Sequence, residues 1–96
     1  MIEPINDFER EVIKFCEDLA EMLITKNRLY GDSFRSLRKD AAKELGNPRI
    51  PLWLHMKEKL SRYMENKADE TEDVAKDGAG YWILEALCSR FDDAKL

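Results

Sequence analysis

Apolar positions along this chain recur every three or four residues, the period of an amphipathic helix. Phe8, Val12, Phe15, Cys16, Leu19 and Leu23 fall on one stripe of a helix expected from about Asn6 to about Lys26. Asn6 with Glu9 three residues later is a capping-box variant that starts it. Gly31, inside Tyr30-Gly31-Asp32-Ser33, permits the positive φ of a turn. Asp32 or Ser33 then caps a second helix whose apolar side is Phe34, Leu37, Ala41 and Leu45. Gly46 stops it, and Pro48 and Pro51 prevent continuation. Pro51 suits the opening of a third helix, with Trp53, Met56, Leu60, Tyr63 and Met64 as its core stripe. A polar link, 66–69, follows. Asp69 with Glu72 is a second capping-box pattern. It opens a fourth helix to about Phe91, lined by Val74, Ala75, Ala79, Trp82, Ile83, Ala86 and Leu87. No alternation of period two appears. The pattern predicts an all-α four-helix bundle, one helical domain over residues 1–96, with breaks near 27–32, 46–51 and 66–69.

Length and composition bound the function. Of the 96 residues, 44% are hydrophobic and 38% charged, a folded rather than a disordered balance. A core this small gains from association. Met22, Ile24, Tyr81 and Leu84 lie outside the main stripes, so a homo-oligomer is expected. The net charge of −4 disfavours duplex nucleic acid as a partner. The first residues lack a basic segment followed by an apolar run, so no signal peptide is expected. No apolar run is long enough for a membrane span, and no membrane partner is expected. Cys16 and Cys88 are isolated and read as buried thiols in a reducing cytoplasm. One histidine, His55, and two scattered cysteines argue against structural zinc.

Charged residues repeat at same-face spacing in the second half. Glu58 and Arg62 are four apart, as are Asp73 and Asp77. Two aspartates on one face repel by a few tenths of a kcal/mol unless a cation sits with them. Mg²⁺ or Arg62 would serve. Gly78 and Gly80 interrupt the fourth helix at about 1 kcal/mol each, which a close ligand or helix would explain. The same charges also suit solvated surface pairs. Lys26, Arg28, Tyr30 and Ser33 cluster at the first turn, beside a helix N-terminus that attracts anions. On spacing alone, a polar turn with a capping residue is the better account of them. Arg35, Arg38, Lys39 and Lys43 read as a solvated basic face interspersed with Asp40 and Glu44. Trp53 and Trp82 lie on core stripes. Tyr81, on the polar border, is the better candidate to contact a ligand.

These segments together resemble the first type of nucleotide-modification-associated domain, a small helical phage and bacterial family. The resemblance rests on Lys26 with Tyr30-Gly31-Asp32-Ser33, on Glu58-Lys59 with Arg62, and on Asp73, Asp77, Ala79 and Tyr81. It covers most of the chain in order and spacing. The chain departs from the family pattern at Leu29, Val74 and Gly80. The family is also distantly similar to the all-α nucleotide pyrophosphohydrolases of the MazG and dUTPase type. Their paired acidic motifs are not met literally here: Glu17 and Glu21, like Asp73 and Asp77, are spaced by four.

The resemblance implies a phage-type protein that binds a nucleotide or its phosphates, with Mg²⁺-dependent nucleoside triphosphate hydrolysis or nucleotide modification as the reaction if it is an enzyme. On that reading Glu58, Asp73 and Asp77 are the catalytic metal-holding carboxylates. Lys59 and Arg62 hold phosphates, Tyr81 meets the base or sugar, and Lys26, Tyr30, Asp32 and Ser33 form the rim. The location would be the cytoplasm, that of the host if the chain is phage-encoded. The alternative is a non-enzymatic phage interaction module that inhibits or sequesters a host protein or a signalling nucleotide. A clustered acidic pocket favours the first reading. Dispersed carboxylates and a broad exposed apolar surface favour the second.

Overall fold

The computed structural model describes residues 2–65 and 73–96. Among the described residues four α-helices follow one another: α1 (Asp7–Tyr30), α2 (Ser33–Leu45), α3 (Ile50–Glu65) and α4 (Val74–Asp92). A single 3₁₀ turn, Asp93–Lys95, ends the chain. Among the described residues there is no strand, so the all-α expectation holds. No described helix is long and apolar enough to cross a membrane.

Local chemistry sets most helix ends. Asn6 Oδ1 accepts from the Glu9 amide at 2.8 Å, and the Glu9 carboxylate reaches back to the Ile5 amide at 3.2 Å. That reciprocal pairing satisfies amides the first turn leaves without partners. Nothing in 27–30 breaks a helix, so α1 runs on past Lys26 to Tyr30. Gly31 then takes φ 70°. Gly46 is left-handed at φ 73°, and its amide closes on the Ala41 and Ala42 carbonyls. The fourth helix starts later than Asp69: Asp73 is its N-cap and accepts from the Lys76 amide at 2.9 Å. The Asp69–Glu72 pattern and the 66–69 link lie outside the described residues.

The chain divides into two compact units, Met1–Gly31 and Asp32–Leu96. The first is α1. Leu19 is buried, and Met22 and Leu23 are half-buried. Phe8, Val12, Phe15 and Cys16 are exposed. Cys16 is therefore not the buried thiol expected of it; its flank of the stripe is uncovered. Cys88, in the second unit, is buried as expected.

In the second unit α3 packs on both α4 and α2. The inward faces are not the ones that hydropathy selects. On α2, Phe34, Arg38 and Ala41 are buried, whereas Leu37 and Leu45 are exposed. On α3, Leu52 is buried and His55, Lys59 and Arg62 are partly covered, spaced three and four apart along one side. Trp53 is 60% exposed, and Leu60, Tyr63 and Met64 are exposed with it. On α4, Val74, Gly80, Glu85, Cys88 and Asp92 are buried. Trp82 is 59% exposed, and Ile83, Leu87 and Phe91 also face out. The expected packing of Trp53 and Trp82 is thus overturned. The physical reason is that the buried Arg38–Glu85 pair and a ring cluster occupy the interior side of these helices.

Candidate functional site

Three rings join the three helices of the second unit. His55 of α3 stacks on Tyr81 of α4, with centroids 4.2 Å apart and planes 13° apart. Phe34 of α2 meets both edge-on, at 6.3 Å from His55 and 5.7 Å from Tyr81. Offset and edge-on contacts of this kind are the favoured aromatic geometries. Tyr81, placed by sequence on a polar border, is half-buried in this cluster.

One turn before Tyr81 on α4 stands Asp77. Its Oδ2 lies 3.4 Å from the Nζ of Lys59, a pair that ties α3 to α4. Glu58 and Arg62 pair on the border of α3, with Oε1 to guanidinium nitrogen 2.8 Å. Asp73 turns its carboxylate onto its own helix end, where it meets the positive end of the dipole. The structure therefore engages the three candidate carboxylates separately: Glu58 with a guanidinium, Asp73 with an amide, Asp77 with an ammonium. Among the described residues no three histidine, cysteine, aspartate or glutamate side chains are grouped to hold a metal ion. A Cβ built on Gly78 would meet nothing within 4 Å, so that glycine is not required by packing within the chain.

Around the first turn, Asp32 is the N-cap of α2 but makes no side-chain cap bond. Its carboxylate is 3.5 Å from Arg35. Ser33 is the first residue of α2 and is exposed. Lys26 is exposed on α1, and Tyr30 is that helix's last residue.

The dominant electrostatic feature was not legible as a site. Arg38 is 1% exposed. Its guanidinium donates to both carboxylate oxygens of Glu85, at 3.0 and 3.2 Å, and to both of Asp93, at 2.7 and 3.2 Å. Arg35, one turn earlier, grips Asp92 in the same forked manner at 2.9 and 2.7 Å. Such bidentate, charge-assisted bonds are among the strongest polar contacts a protein makes. They hold Asp92 and Asp93 below the usual carboxylate range, chiefly through the hydrogen bonds from Arg35 and Arg38 respectively. The same contacts raise both arginines, which stay charged. Cys88 sits among these groups, and burial pushes its thiol up, keeping it protonated. Arg38 is therefore not part of a solvated basic face, and Arg35, though exposed, is paired with Asp92. Their side of α2 is clamped to the end of α4.

The signal that could have exposed the clamp is the acidic run at the end of α4. Glu85, Asp92 and Asp93 crowd toward a helix C-terminus, which repels negative charge unless cations stand nearby.

No protein family, curated protein or solved structure matches the chain.

Proposed function

We propose that this chain is a non-enzymatic interaction module that engages a protein partner through the outward apolar faces of α3 and α4. One observation carries the reading: Trp53, Leu60 and Met64 share an exposed face of α3, Leu87 and Phe91 share one of α4, and Trp82 is exposed on another side of α4, while Arg38 and Glu85 are buried. Exposed apolar side chains that line one helix face mark an interaction surface. Tryptophan and tyrosine are the residues that most often dominate binding energy. Lys57 lies over the Trp53 ring, 5.2 Å from its centroid, which leaves a mixed apolar and cationic edge. The resemblance to phage-type domains supports a host component as the partner.

Capture from host lysate tests this. A partner recovered by the wild-type chain and lost with both Trp53→Asp and Trp82→Asp, each still helical, supports it. A partner retained by both variants counts against it.

The nucleotide reading keeps one supporting observation. Lys59 and Asp77 meet across α3 and α4 beside the open space at Gly78, joining two segments that the resemblance marks. Lys59 and Arg62 would hold phosphates there, and Tyr81 would border the base. The separately engaged carboxylates do not form a donor set for Mg²⁺ as they stand. A thermal-shift screen of nucleotides with and without Mg²⁺ separates the two readings. A nucleotide-specific rise in Tm that Asp77→Ala removes would favour this second one.

A further inference from the structure

The last turn of α4 ends without a glycine stop: its C-cap is Asp93, in right-handed conformation. Asp92 and Asp93 set two negative charges at a helix end that already carries partial negative charge. Apolar burial there is slight. Of residues 88–92 only Cys88 and Asp92 are buried, and Phe91 faces outward. A turn with so few buried apolar contacts opens readily unless something else holds it. Here Arg35 and Arg38 of α2 hold it, by their forked bonds to Asp92 and Asp93.

The two arginines differ in how they are placed. The Arg38 side chain is 1% exposed and spans Glu85 as well as Asp93, so it belongs to the interior. The Arg35 side chain is 45% exposed and stands between Asp92 and Asp32 at the start of α2. Released from Asp92, Arg35 keeps both water and Asp32 for its charge, whereas Arg38 released from Glu85 leaves a charge buried.

We infer that the last turn of α4 and the 3₁₀ turn after it form a latch, closed by Arg35 on Asp92, that opens locally while the Arg38–Glu85 pair keeps the rest of the second unit folded. Opening frees Asp92 and Asp93 together, and Arg38 retains Glu85. It carries Phe91 off the face that it shares with Leu87. It also uncovers Cys88, which stands one turn before Asp92. On the interaction reading proposed above, the latch sets whether Phe91 is presented to a partner. That consequence rests on that reading; the latch itself does not.

The labelling rate of Cys88 tests the latch, measured with a thiol-specific reagent on the full chain in a Cys16→Ser background. No partner is needed, so a failure here is separate from a failure of the interaction reading. With Arg35 present the latch is closed and labelling is slow. Arg35→Gln should raise the rate about tenfold, the fold-change of one lost charge-assisted hydrogen bond. The denaturant midpoint followed by helical circular dichroism should stay close to that of the parent chain. The raised rate should also change little with denaturant below the transition, because a local opening exposes little surface. A rate that Arg35→Gln leaves unchanged overturns the inference. So does a raised rate that climbs with denaturant as steeply as global unfolding, or an Arg35→Gln chain that loses its helical signal altogether.

Discussion

Arg38 of α2 and Glu85 of α4 are 47 residues apart in sequence and joined by two hydrogen bonds in the buried interior of the second unit. The pair fixes which side of each helix faces inward. Arg38 cannot leave its carboxylates without abandoning a charge in a poorly solvated place, and the carboxylates cannot leave Arg38. Removing one partner should therefore cost more than removing both. Arg38→Ala is expected to destabilise the fold by about 3–5 kcal/mol, because Glu85 is left buried without its cation. Arg38→Met combined with Glu85→Met should recover most of that loss. Denaturant melts of Arg38→Ala and of the double variant check this. A double variant no better than Arg38→Ala would contradict the account.

Acid should loosen the same clamp. Asp92 and Asp93 have carboxyl pKa values lowered by Arg35 and Arg38. The folded chain thus binds protons less readily than the unfolded chain, whose aspartates titrate near about 3.9. The stability this confers is complete above that value and is lost as pH falls through the lower folded pKa values. Tm is expected to drop steeply below about pH 4. Asp93→Asn should weaken that acid dependence. A variant whose Tm falls with pH as steeply as wild type would argue that other carboxylates dominate.

The two thiols should behave differently. Cys16 is exposed, whereas Cys88 is buried with its thiol held protonated. A thiol-specific reagent at neutral pH should modify Cys16 in the native chain and reach Cys88 only on unfolding. Peptide mapping of the labelled chain checks this. Rapid native labelling of Cys88 would mean that the end of α4 is not clamped as described.

The ring cluster should be a stability centre. Phe34 is buried edge-on against the stacked His55 and Tyr81 rings. Phe34→Ala should cost about 3–5 kcal/mol, the range for emptying a buried phenylalanine site. Tyr81→Phe keeps the stacking and should leave stability nearly unchanged. Thermal melts that rank these two variants the other way would argue for a buried hydrogen bond at Tyr81.

How far the sequence reaches differs between helices and faces. The helices themselves were legible because caps and stops are local. Asn6 with Glu9, Gly31 and Gly46 each act on backbone only a few residues away. The Glu58–Arg62 pair was legible for the same reason, since it closes within one turn. Orientation was not. Hydropathy turns Trp53 and Trp82 inward and Arg38 outward, and the structure does the reverse. Burial of an arginine is favourable only when carboxylates arrive from elsewhere in the chain, and Glu85 and Asp93 arrive from beyond α3. No periodicity on α2 carries that information. The Lys59–Asp77 contact was hidden for the same reason, because it depends on which faces of α3 and α4 meet.

The outward tryptophans are the part of the account on which the proposed function stands. Tryptophan fluorescence of single-tryptophan variants, Trp53→Phe and Trp82→Phe, measures their surroundings directly in the isolated chain. The account predicts water-like, red-shifted emission from each remaining tryptophan, quenched by acrylamide nearly as freely as the indole of an unfolded chain. Blue-shifted, protected emission from both would place these rings in a core and contradict the interaction surface.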